Sequence, residues 1–302
     1  MAKFRDMNDQ DADTVSTPDA KPPGLHDRAI GEIIRDTRNL SAEQVEKVLE
    51  HQRATGKRFG EAAVALGYVS ADDVLFALAQ QFHYPYAPQE RRDASPELVM
   101  LNQPFSLQAE AFRAIRSQVM MRLYGVSDNR AALAVISPDS GDGKSYFSAN
   151  LAVALAQLGG RTLLVDADMR GPRLHQMFKI SNESGLSGIL SGRVLSRVIQ
   201  SIEHVPGLFL LPVGATPPNP LELIERPAFA LLMKELTSKF DHVVVDSPAA
   251  IYGADAGVIA ARCGAALVVA RKNRSRTLAL QEMVASLAES PAKVVGVILN
   301  EF

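Results

Sequence analysis

The chain has 302 residues and a mass of 32.6 kDa, which is room for about two domains of roughly 150 residues each. Its 47% apolar and 22% charged residues exclude a fibrous or wholly disordered protein. A net charge of −2 gives no bulk attraction to nucleic acid or anionic lipid, so we predict no nucleic-acid partner. Cys263 is the only cysteine, which excludes an intrachain disulfide and is typical of a reducing cytoplasm.

The ends of the chain give no signal for a membrane or for secretion. No apolar run approaches the roughly 18 residues that a transmembrane helix needs. The N-terminal sequence MAKFRDMNDQDADT lacks the apolar core of a signal peptide. We therefore expect a cytoplasmic protein. Residues 1–25 are polar and contain Pro22 and Pro23, which predicts a disordered tail.

Residues 26–88 contain an internal repeat that predicts a small, mostly helical domain. The segment AIGEIIRDTRNLSAEQVEKVLEHQ (29–52) aligns without gaps with RFGEAAVALGYVSADDVLFALAQQ (58–81). Each unit predicts a short apolar segment, a break and a helix whose N-cap is Ser41 or Ser70. Two such units can bury their apolar stripes against each other. Chance similarity between two amphipathic helices is the alternative.

Residues 89–106 are rich in proline and charge and predict a linker. Residues 107–302 begin with a predicted helix at 107–123 and then alternate apolar, β-branched segments with helical patterns. This alternation predicts an α/β domain with a doubly wound, mostly parallel sheet. The strands are predicted at 131–137, 161–167, 207–213, 241–247, 265–271 and 293–299, and the helices at 145–158, 220–238, 255–262 and 276–289.

The segment SPDSGDGKSYFSANLAVALAQ, from Ser137, has the sequence of a phosphate-binding loop between a strand and a helix. Its glycines allow successive backbone N–H groups to face one anion, and the helix adds the positive end of its dipole. Lys144 is placed to reach the β- and γ-phosphates of ATP, and the Ser145 hydroxyl to ligate Mg²⁺. Pro138 replaces the first glycine of this Walker A pattern, at the strand exit. A glycine-rich turn without function is the alternative. The predicted loop ligands of the nucleotide are Ser140, Gly141, Asp142, Gly143, Lys144, Ser145 and Tyr146.

Two further predicted strands end in carboxylates. Asp246 closes FDHVVVDSP, where a Walker B acid holds Mg²⁺ through water, and TLLVDADMRGP ends in Asp166 and Asp168. Carboxylates at positions i and i+2 of a strand point the same way. We expect one of this pair on the metal and the other on an incoming hydroxyl. Turn residues without function are the alternative. The predicted catalytic residues are Lys144, Asp166 and Asp168, and the predicted metal ligands are Ser145, Asp168 and Asp246.

The order of the Walker A segment, LLVDADMRGP and VVVDSP resembles the bacterial tyrosine kinases of capsule and exopolysaccharide synthesis, in which LLVDADMR is an extra Walker A′ motif. The resemblance covers about residues 104–302. With the N-terminal repeat, the chain is similar to chain-length-determinant tyrosine kinases of the EpsG type. The resemblance implies a P-loop NTPase fold and an Mg²⁺- and ATP-dependent protein tyrosine kinase that regulates polysaccharide chain length and export. It also implies activation by a membrane polysaccharide co-polymerase, which would hold this cytoplasmic protein at the inner membrane.

The resemblance also assigns roles to single residues. It implies that Glu110, Arg113 and Arg116 of EAFRAIR make subunit contacts in a homo-oligomeric ring, and their spacing does put them on one helix face. A solvated charged face is the alternative. Asn300 matches the position at which related ATPases place an adenine-contacting asparagine, with a strand cap as the alternative. GATPPNPLEL (214–223) is similar to the family's Pro-Asn-Pro segment, but an N-cap at Asn219 explains it locally.

Two features bear on the alternatives to a kinase. Asp139 occupies the position at which partition and division-site ATPases, which share the fold, carry a signature lysine, so the kinase is favoured over them. The family's kinases end in a tyrosine cluster, whereas none of the six tyrosines here follows the last predicted strand. A regulatory ATPase of the polysaccharide machinery without kinase output therefore stays open. Tyr84 and Tyr86, just before the linker, are candidate acceptors, with a place at the edge of the helical domain as the favoured alternative.

The repeat itself resembles the N-terminal domain of type II secretion and pilus ATPases, some of which bind cyclic di-GMP through two arginine- and glycine-containing motifs. The second unit keeps Arg58, Gly60 and Gly67, whereas the first has Ala29 and Arg38 in place of the arginine and the second glycine. A missing guanidinium removes a charge-assisted contact of about 1.5–3 kcal/mol. We therefore favour a protein-docking module over symmetric cyclic di-GMP binding.

Overall fold

The computed structural model of the chain describes residues 30–81, 95–124, 131–193 and 198–301. These residues form two compact units, divided between residues 83 and 84. The predicted disordered tail at 1–25 lies outside the described residues, as do Tyr84 and Tyr86. None of the helices in the described ranges is both long and apolar enough to span a bilayer.

The first unit consists of four helices, two from each repeat. They are α1 (Ile30–Arg38), α2 (Ala42–Thr55), α3 (Phe59–Ala65) and α4 (Ala71–Gln81). Both predicted N-caps are confirmed. The Ser41 hydroxyl accepts from the backbone N–H of Gln44 at 3.2 Å, and the Ser70 hydroxyl accepts from that of Asp73 at the same distance. The core beneath the caps includes Ile34, Val48, Ala62 and Ala77.

Two contacts fix the packing of these helices, the first within the second repeat and the second between the repeats. A Cβ atom added to Gly60 would lie 2.6 Å from Cγ1 of Val74, so α3 and α4 approach more closely than any larger residue allows. Arg38 Nε lies 2.6 Å from Oδ1 of the buried Asp73. Burial alone would raise the pKa of Asp73, but hydrogen bonds from Ser70 and the Arg38 guanidinium lower it. Arg38 therefore serves as an ion-pair partner within the unit.

The close approach at Gly60 gives a prediction for stability. We expect Gly60→Ala to destabilise the helical unit by about 1–3 kcal/mol, because the added methyl overpacks Val74. Hydrogen exchange of the amides in residues 59–81 measures this. Gly31 is the matched control, since it holds the same repeat position but its added Cβ would meet only Phe59 at 3.6 Å. Equal exchange in Gly60→Ala and Gly31→Ala would contradict the packing account, and Val74→Ala should rescue Gly60→Ala.

The second unit is built on a seven-stranded sheet, ordered β3-β4-β2-β5-β1-β6-β7. Only β3 is antiparallel to its neighbour, so the predicted mostly parallel sheet is confirmed. The strands are β1 (Ala132–Ile136), β2 (Thr162–Asp166), β3 (Gln200–Ser201), β4 (Leu208–Leu211), β5 (His242–Asp246), β6 (Gly264–Arg271) and β7 (Lys293–Asn300).

Helices cover both faces of the sheet, and two apolar layers separate them from it. A π-helical turn, Met120–Tyr124, follows the helix that ends at Val119, and a 3₁₀ turn, Ala250–Tyr252, precedes the helix that begins at Asp255. The predicted continuous helix at 220–238 is wrong, because Pro227 begins a new helix and cannot donate to the preceding turn. The helices are α5 (Val99–Asn102), α6 (Leu107–Val119), α7 (Lys144–Ala156), α8 (Leu174–Met177), α9 (Leu186–Leu190), α10 (Pro220–Glu225), α11 (Pro227–Lys239), α12 (Asp255–Cys263) and α13 (Thr277–Ala288).

Part of the segment predicted as a linker packs on the α/β unit. Leu98 and Met100 are fully buried in the layer that also contains α7. The backbone N–H of Met100 donates to Oδ1 of Asn150 at 3.1 Å, and the Asn150 amide donates to the Glu97 carbonyl at 3.0 Å. The residues around α5 are therefore part of this unit's core.

The strand order places three functional strand ends together. In the sheet, β5 lies between β2 and β1, and all three run parallel. Their carboxyl ends therefore share one edge, where doubly wound sheets bind their ligands. In this register Asp166 at the end of β2 is the direct neighbour of Asp246 at the end of β5.

Candidate nucleotide-binding site

A cavity of about 720 Å³ opens beside the loop that follows β1. Seven of the eight residues predicted to bind nucleotide line it, and they bring the loop, the first turn of α7 and the end of β7 to one space. These residues are Ser140, Gly141, Gly143, Lys144, Ser145, Tyr146 and Asn300.

Two glycines give the loop its shape. Gly141 and Gly143 have φ angles of +82° and +98°, in the left-handed region that glycine adopts without strain. A Cβ atom on Gly143 would overlap the side-chain amide of Asn300, which donates to the Asp142 carbonyl at 3.0 Å. The loop is thus curved as a phosphate cradle requires, and β7 supports it through Asn300.

Asp142 has a different place from the one predicted. Its carboxylate is buried and accepts from the Ser275 hydroxyl at 2.8 Å and from the backbone N–H of Asp139 at 3.0 Å. The side chain is absent from the cavity wall. Asp142 therefore fixes the loop's conformation from behind.

Lys144 and Ser145 begin α7 at the cavity. The Lys144 side chain is buried, and its Nζ donates to the Ser137 hydroxyl at 3.0 Å. The Ser145 hydroxyl lies beside the Asp246 carboxylate and helps to lower its pKa, and the Ser148 hydroxyl donates to that carboxylate at 3.1 Å. The free N–H groups and positive dipole end of α7 point at the same space. This arrangement suits an anion held beside a cation that contacts Ser145.

Two of the predicted carboxylates are deeply buried neighbours. Asp166 and Asp246 have 0% and 1% of their surface exposed. Burial raises the pKa of Asp246 to about 6, although its contacts with Ser145 and Lys144 oppose the shift. Burial and the neighbouring Asp246 charge raise the pKa of Asp166 well above its usual range. Ionising both buried carboxyl groups costs free energy, and a bound cation would lower that cost.

Of the three predicted carboxylates, Asp168 is the one that lines the cavity. Its Oδ1 accepts from the backbone N–H groups of Arg170 at 3.1 Å and Gly171 at 2.9 Å. Asp166 instead accepts from the N–H groups of Leu174 and Asp168, both at 3.2 Å. The expected shared orientation of Asp166 and Asp168 is wrong, because β2 ends at the buried Asp166, whereas Asp168 lies beyond the strand and reaches the cavity.

The donors at this site are those that Mg²⁺ prefers. Ser145, Asp168 and Asp246 offer only oxygen atoms. Within the described ranges no group of three or more acidic, histidine or cysteine side chains is arranged to hold a metal by itself. Mg²⁺ is ordinarily held by one or two carboxylates together with phosphate oxygens and water, so these residues fit Mg²⁺ bound with a nucleotide.

The sequence reasoning missed three arginines on the cavity wall. Arg170 makes two hydrogen bonds to the buried Asp255, at 3.2 and 3.0 Å. Arg173 donates to both carboxylate oxygens of Glu97, and Arg271 donates to the Gly141 carbonyl at 3.1 Å. Arg170 and Arg173 follow Asp168 within DADMRGPR, and Arg271 ends a predicted strand. The carboxylates were identified because they follow the carboxyl ends of strands, and the same reasoning applies to these arginines.

Comparison with known proteins identifies the group to which this site belongs. The family model CbiA, the CobQ/CobB/MinD/ParA nucleotide-binding domain, matches residues 133–302. The tyrosine-protein kinase CapB of Staphylococcus aureus is 32% identical over 212 residues, covering 70% of this chain and 92% of CapB. The chain belongs to the bacterial tyrosine kinase family.

Other members of the family differ from this chain in length. The tyrosine-protein kinase EpsB of Ralstonia solanacearum is 38% identical over 194 residues, which is 63% of this chain but 25% of EpsB. The chain thus spans about a quarter of that relative. The kinase domain of the Escherichia coli tyrosine kinase ETK superposes with a TM-score of 0.65 at 29% identity, covering 71% of this chain and 84% of that domain.

The motif that this family resemblance assigned to subunit contacts lies on α6. Glu110 is exposed and pairs with Arg113 at 2.6 Å, and Arg113 also donates to the Pro104 carbonyl. Arg116 donates to the Ala154 carbonyl of α7 at 2.9 Å. Both arginines therefore hold α6 in place within their own unit, which leaves Glu110 as the most accessible member of the motif.

The residues considered for cyclic di-GMP have local roles. Gly60 allows the contact between α3 and α4, and Gly67 has a φ of +72° in the turn between them. The exposed Arg58 is the N-cap of α3, and its backbone N–H donates to Glu61 at 3.1 Å. Packing and turn geometry thus account for both glycines in this chain.

Proposed function

We propose that the protein is an Mg²⁺- and ATP-dependent protein tyrosine kinase that regulates the chain length and export of a capsular or extracellular polysaccharide. One observation carries the proposal: Lys144, Ser145 and Asp168 line the loop cavity, and the buried Asp246 lies beside Ser145 and Lys144. Transfer to tyrosine is supported by the relatives that are named as tyrosine-protein kinases. Among them, CapB aligns with this chain over most of its own length.

The loop and α7 bind the triphosphate. The backbone N–H groups around Gly141 and Gly143 hold its phosphate oxygens, and the Lys144 ammonium balances their charge. Asn300 limits the cavity at the end of β7, where it contacts the loop and orients the base. Bound Mg²⁺ would supply charge neutralisation at the β- and γ-phosphates. Ser145 would ligate it directly, and Asp246 would hold its water shell.

Asp168 has the position of the proton acceptor. It lies on the cavity wall, and two backbone N–H groups fix one of its oxygens, whereas Glu97, the other carboxylate on the wall, is paired with Arg173. The other oxygen is left to accept the proton of an incoming tyrosine hydroxyl. Arg170, held by the buried Asp255, orients the segment that carries Asp168. Asp166 keeps this turn in place through Leu174 and Asp168.

Metal removal tests the proposal. We expect the full chain with Mg²⁺ and ATP to place phosphate on tyrosine of a Glu-Tyr copolymer, and EDTA to abolish the transfer. Phosphoamino-acid analysis and ADP release are measured together. ADP release without phosphotyrosine would contradict the kinase and leave the regulatory ATPase. Transfer that persists in EDTA would contradict the metal's role.

The partners follow from the same proposal. We propose a membrane polysaccharide co-polymerase as the activator, which holds the kinase at the inner membrane, and a homo-oligomeric ring. The exposed Glu110 supports a contact through α6, because an acidic side chain on this face can meet a cation of a neighbouring subunit. Chemical crosslinking of wild type and Glu110→Lys in the presence of ATP tests the ring.

A further inference from the structure

Tyr252 shares the cavity with the phosphate loop. It lies in the 3₁₀ turn between β5 and α12, lines the same space as Lys144, Ser145 and Asp168, and has 54% of its surface exposed. Its neighbour Ile251 is 62% exposed. The turn thus presents a tyrosine side chain to the cavity instead of burying it.

Two anchors fix this turn on the phosphate side of the cavity. The backbone N–H groups of Ala250 and Ile251 donate to the carbonyls of Ser137 and Pro138, both at 3.0 Å, where the loop begins. Beyond the turn, Asp255 makes its paired hydrogen bonds to Arg170, two residues from Asp168. Tyr252 therefore lies between the start of the loop and the Asp168 segment, at the end of the cavity where a γ-phosphate is expected.

The side chains of the other described tyrosines are packed or hydrogen-bonded within the protein. Tyr146 also lines the cavity, but its ring packs edge-on against Phe112 and burial raises its pKa. Tyr124 donates to the Val243 carbonyl, and Tyr68 belongs to the helical unit. Within the described ranges, only Tyr252 combines a place on the cavity wall with a largely exposed side chain.

We propose that Tyr252 is a phosphate acceptor of this protein's own active site, an inference that rests on the proposed kinase function. The Tyr252 hydroxyl oxygen attacks the γ-phosphorus of ATP, forming the Oη–P bond as the bond to the β,γ-bridging oxygen breaks. ADP leaves with that electron pair, and the phenolic proton passes to Asp168. The product carries a dianionic phosphate at the mouth of the cavity, next to Arg170.

Phosphosite mapping tests the proposal. The full chain is incubated with Mg²⁺ and ATP over a hundredfold range of protein concentration, and its peptides are analysed by mass spectrometry. We expect phosphate on the peptide that contains Tyr252, formed at a rate per chain that does not change with dilution. Tyr252→Phe should lose that phosphate, and Tyr68→Phe, a matched control in the other unit, should keep it.

Each other outcome is decisive. Copolymer phosphorylation by wild type without modification of Tyr252 would overturn this inference and leave the kinase intact. A rate that rises with protein concentration would overturn transfer within one site. Phosphate on neither the copolymer nor the chain would overturn the proposed function, and this inference with it.

A second measurement does not depend on turnover. The sequence contains no tryptophan, so Tyr252→Trp has a single tryptophan, at position 252. We expect its fluorescence to respond more strongly to Mg²⁺ with a non-hydrolysable ATP analogue than to Mg²⁺ with ADP, because only the analogue has a γ-phosphate. Tyr68→Trp should respond to neither. Equal responses of Tyr252→Trp to the two nucleotides would contradict its place at the γ-phosphate.

Discussion

Lys144→Met is expected to lower kcat/KM for phosphoryl transfer by a factor on the order of 10²–10³. Methionine keeps the length and apolar stem of the side chain but removes the buried ammonium that faces the loop cavity. Charge that develops on the transferring phosphoryl group would then lose a preorganised partner in a site that excludes much of the water. Transfer to the Glu-Tyr copolymer measures the effect.

Lys272→Met is the matched control for this substitution. Lys272 also lies next to the cavity, one residue after Arg271, but it is half-exposed and pairs with Glu301 at 2.9 Å. An exposed ion pair contributes about 0–1 kcal/mol, so we expect kcat/KM to change less than fivefold. Equal losses in the two variants would show that net positive charge matters and that the position of Lys144 does not.

Asp246→Asn is expected to have opposite effects on stability and on transfer. The buried carboxylate has a pKa of about 6 in the metal-free protein and faces the equally buried Asp166. Asparagine removes that charge and can keep the contact with Ser148. We expect the free energy of unfolding at pH 8 to rise by on the order of 2 kcal/mol, while Mg²⁺-dependent transfer is lost because no carboxylate holds the metal's water shell.

The raised pKa of Asp246 determines how the stability of the metal-free protein changes with pH. The pKa of Asp246 lies above its ordinary value of 3.8, so between about pH 4 and 6 the folded protein keeps a proton that the unfolded chain has lost. The stability contributed by this group is therefore full below pH 4 and is lost as the pH rises through 6. The gain from Asp246→Asn should be small at about pH 4 and largest at about pH 8 in urea unfolding without metal.

Asp255→Asn separates this effect from burial alone. Asp255 is also 1% exposed, but it pairs with Arg170 through two hydrogen bonds. Breaking a buried ion pair leaves a charge without its partner, so this variant should be less stable. If Asp246→Asn destabilised the metal-free protein as much as Asp255→Asn does, Asp246 would not be a charge that needs a bound metal to offset its burial.

The sequence predicted the sheet and the loop because both depend on local patterns. Segments rich in apolar, β-branched residues, such as HVVVD in β5, are typical of strands that are buried on both faces of a parallel sheet. The two loop glycines need a positive φ, and the serine caps of α2 and α4 lie at the expected spacing. Each of these features depends on a few neighbouring residues.

The features that the sequence did not predict depend on contacts between distant segments. The two-residue β3 has too few residues for a periodic pattern, and it exists only because β4 offers an edge. Asp166 and Asp168 differ in burial because β2 ends between them, which the spacing rule ignores. The anchoring of Tyr252 rests on carbonyls more than 100 positions earlier in the chain, and no local pattern contains that information.

A crystal structure of the full chain with Mg²⁺ and a non-hydrolysable ATP analogue would show how the loop cavity holds nucleotide and metal. We expect a metal ion about 2.1 Å from the Ser145 hydroxyl and from β- and γ-phosphate oxygens, with Asp246 reached through a metal-bound water. Lys144 Nζ should contact the same phosphates, and Asp168 should face the γ-phosphorus. A nucleotide bound outside this cavity, or a metal ion with no contact to Ser145, would contradict the account.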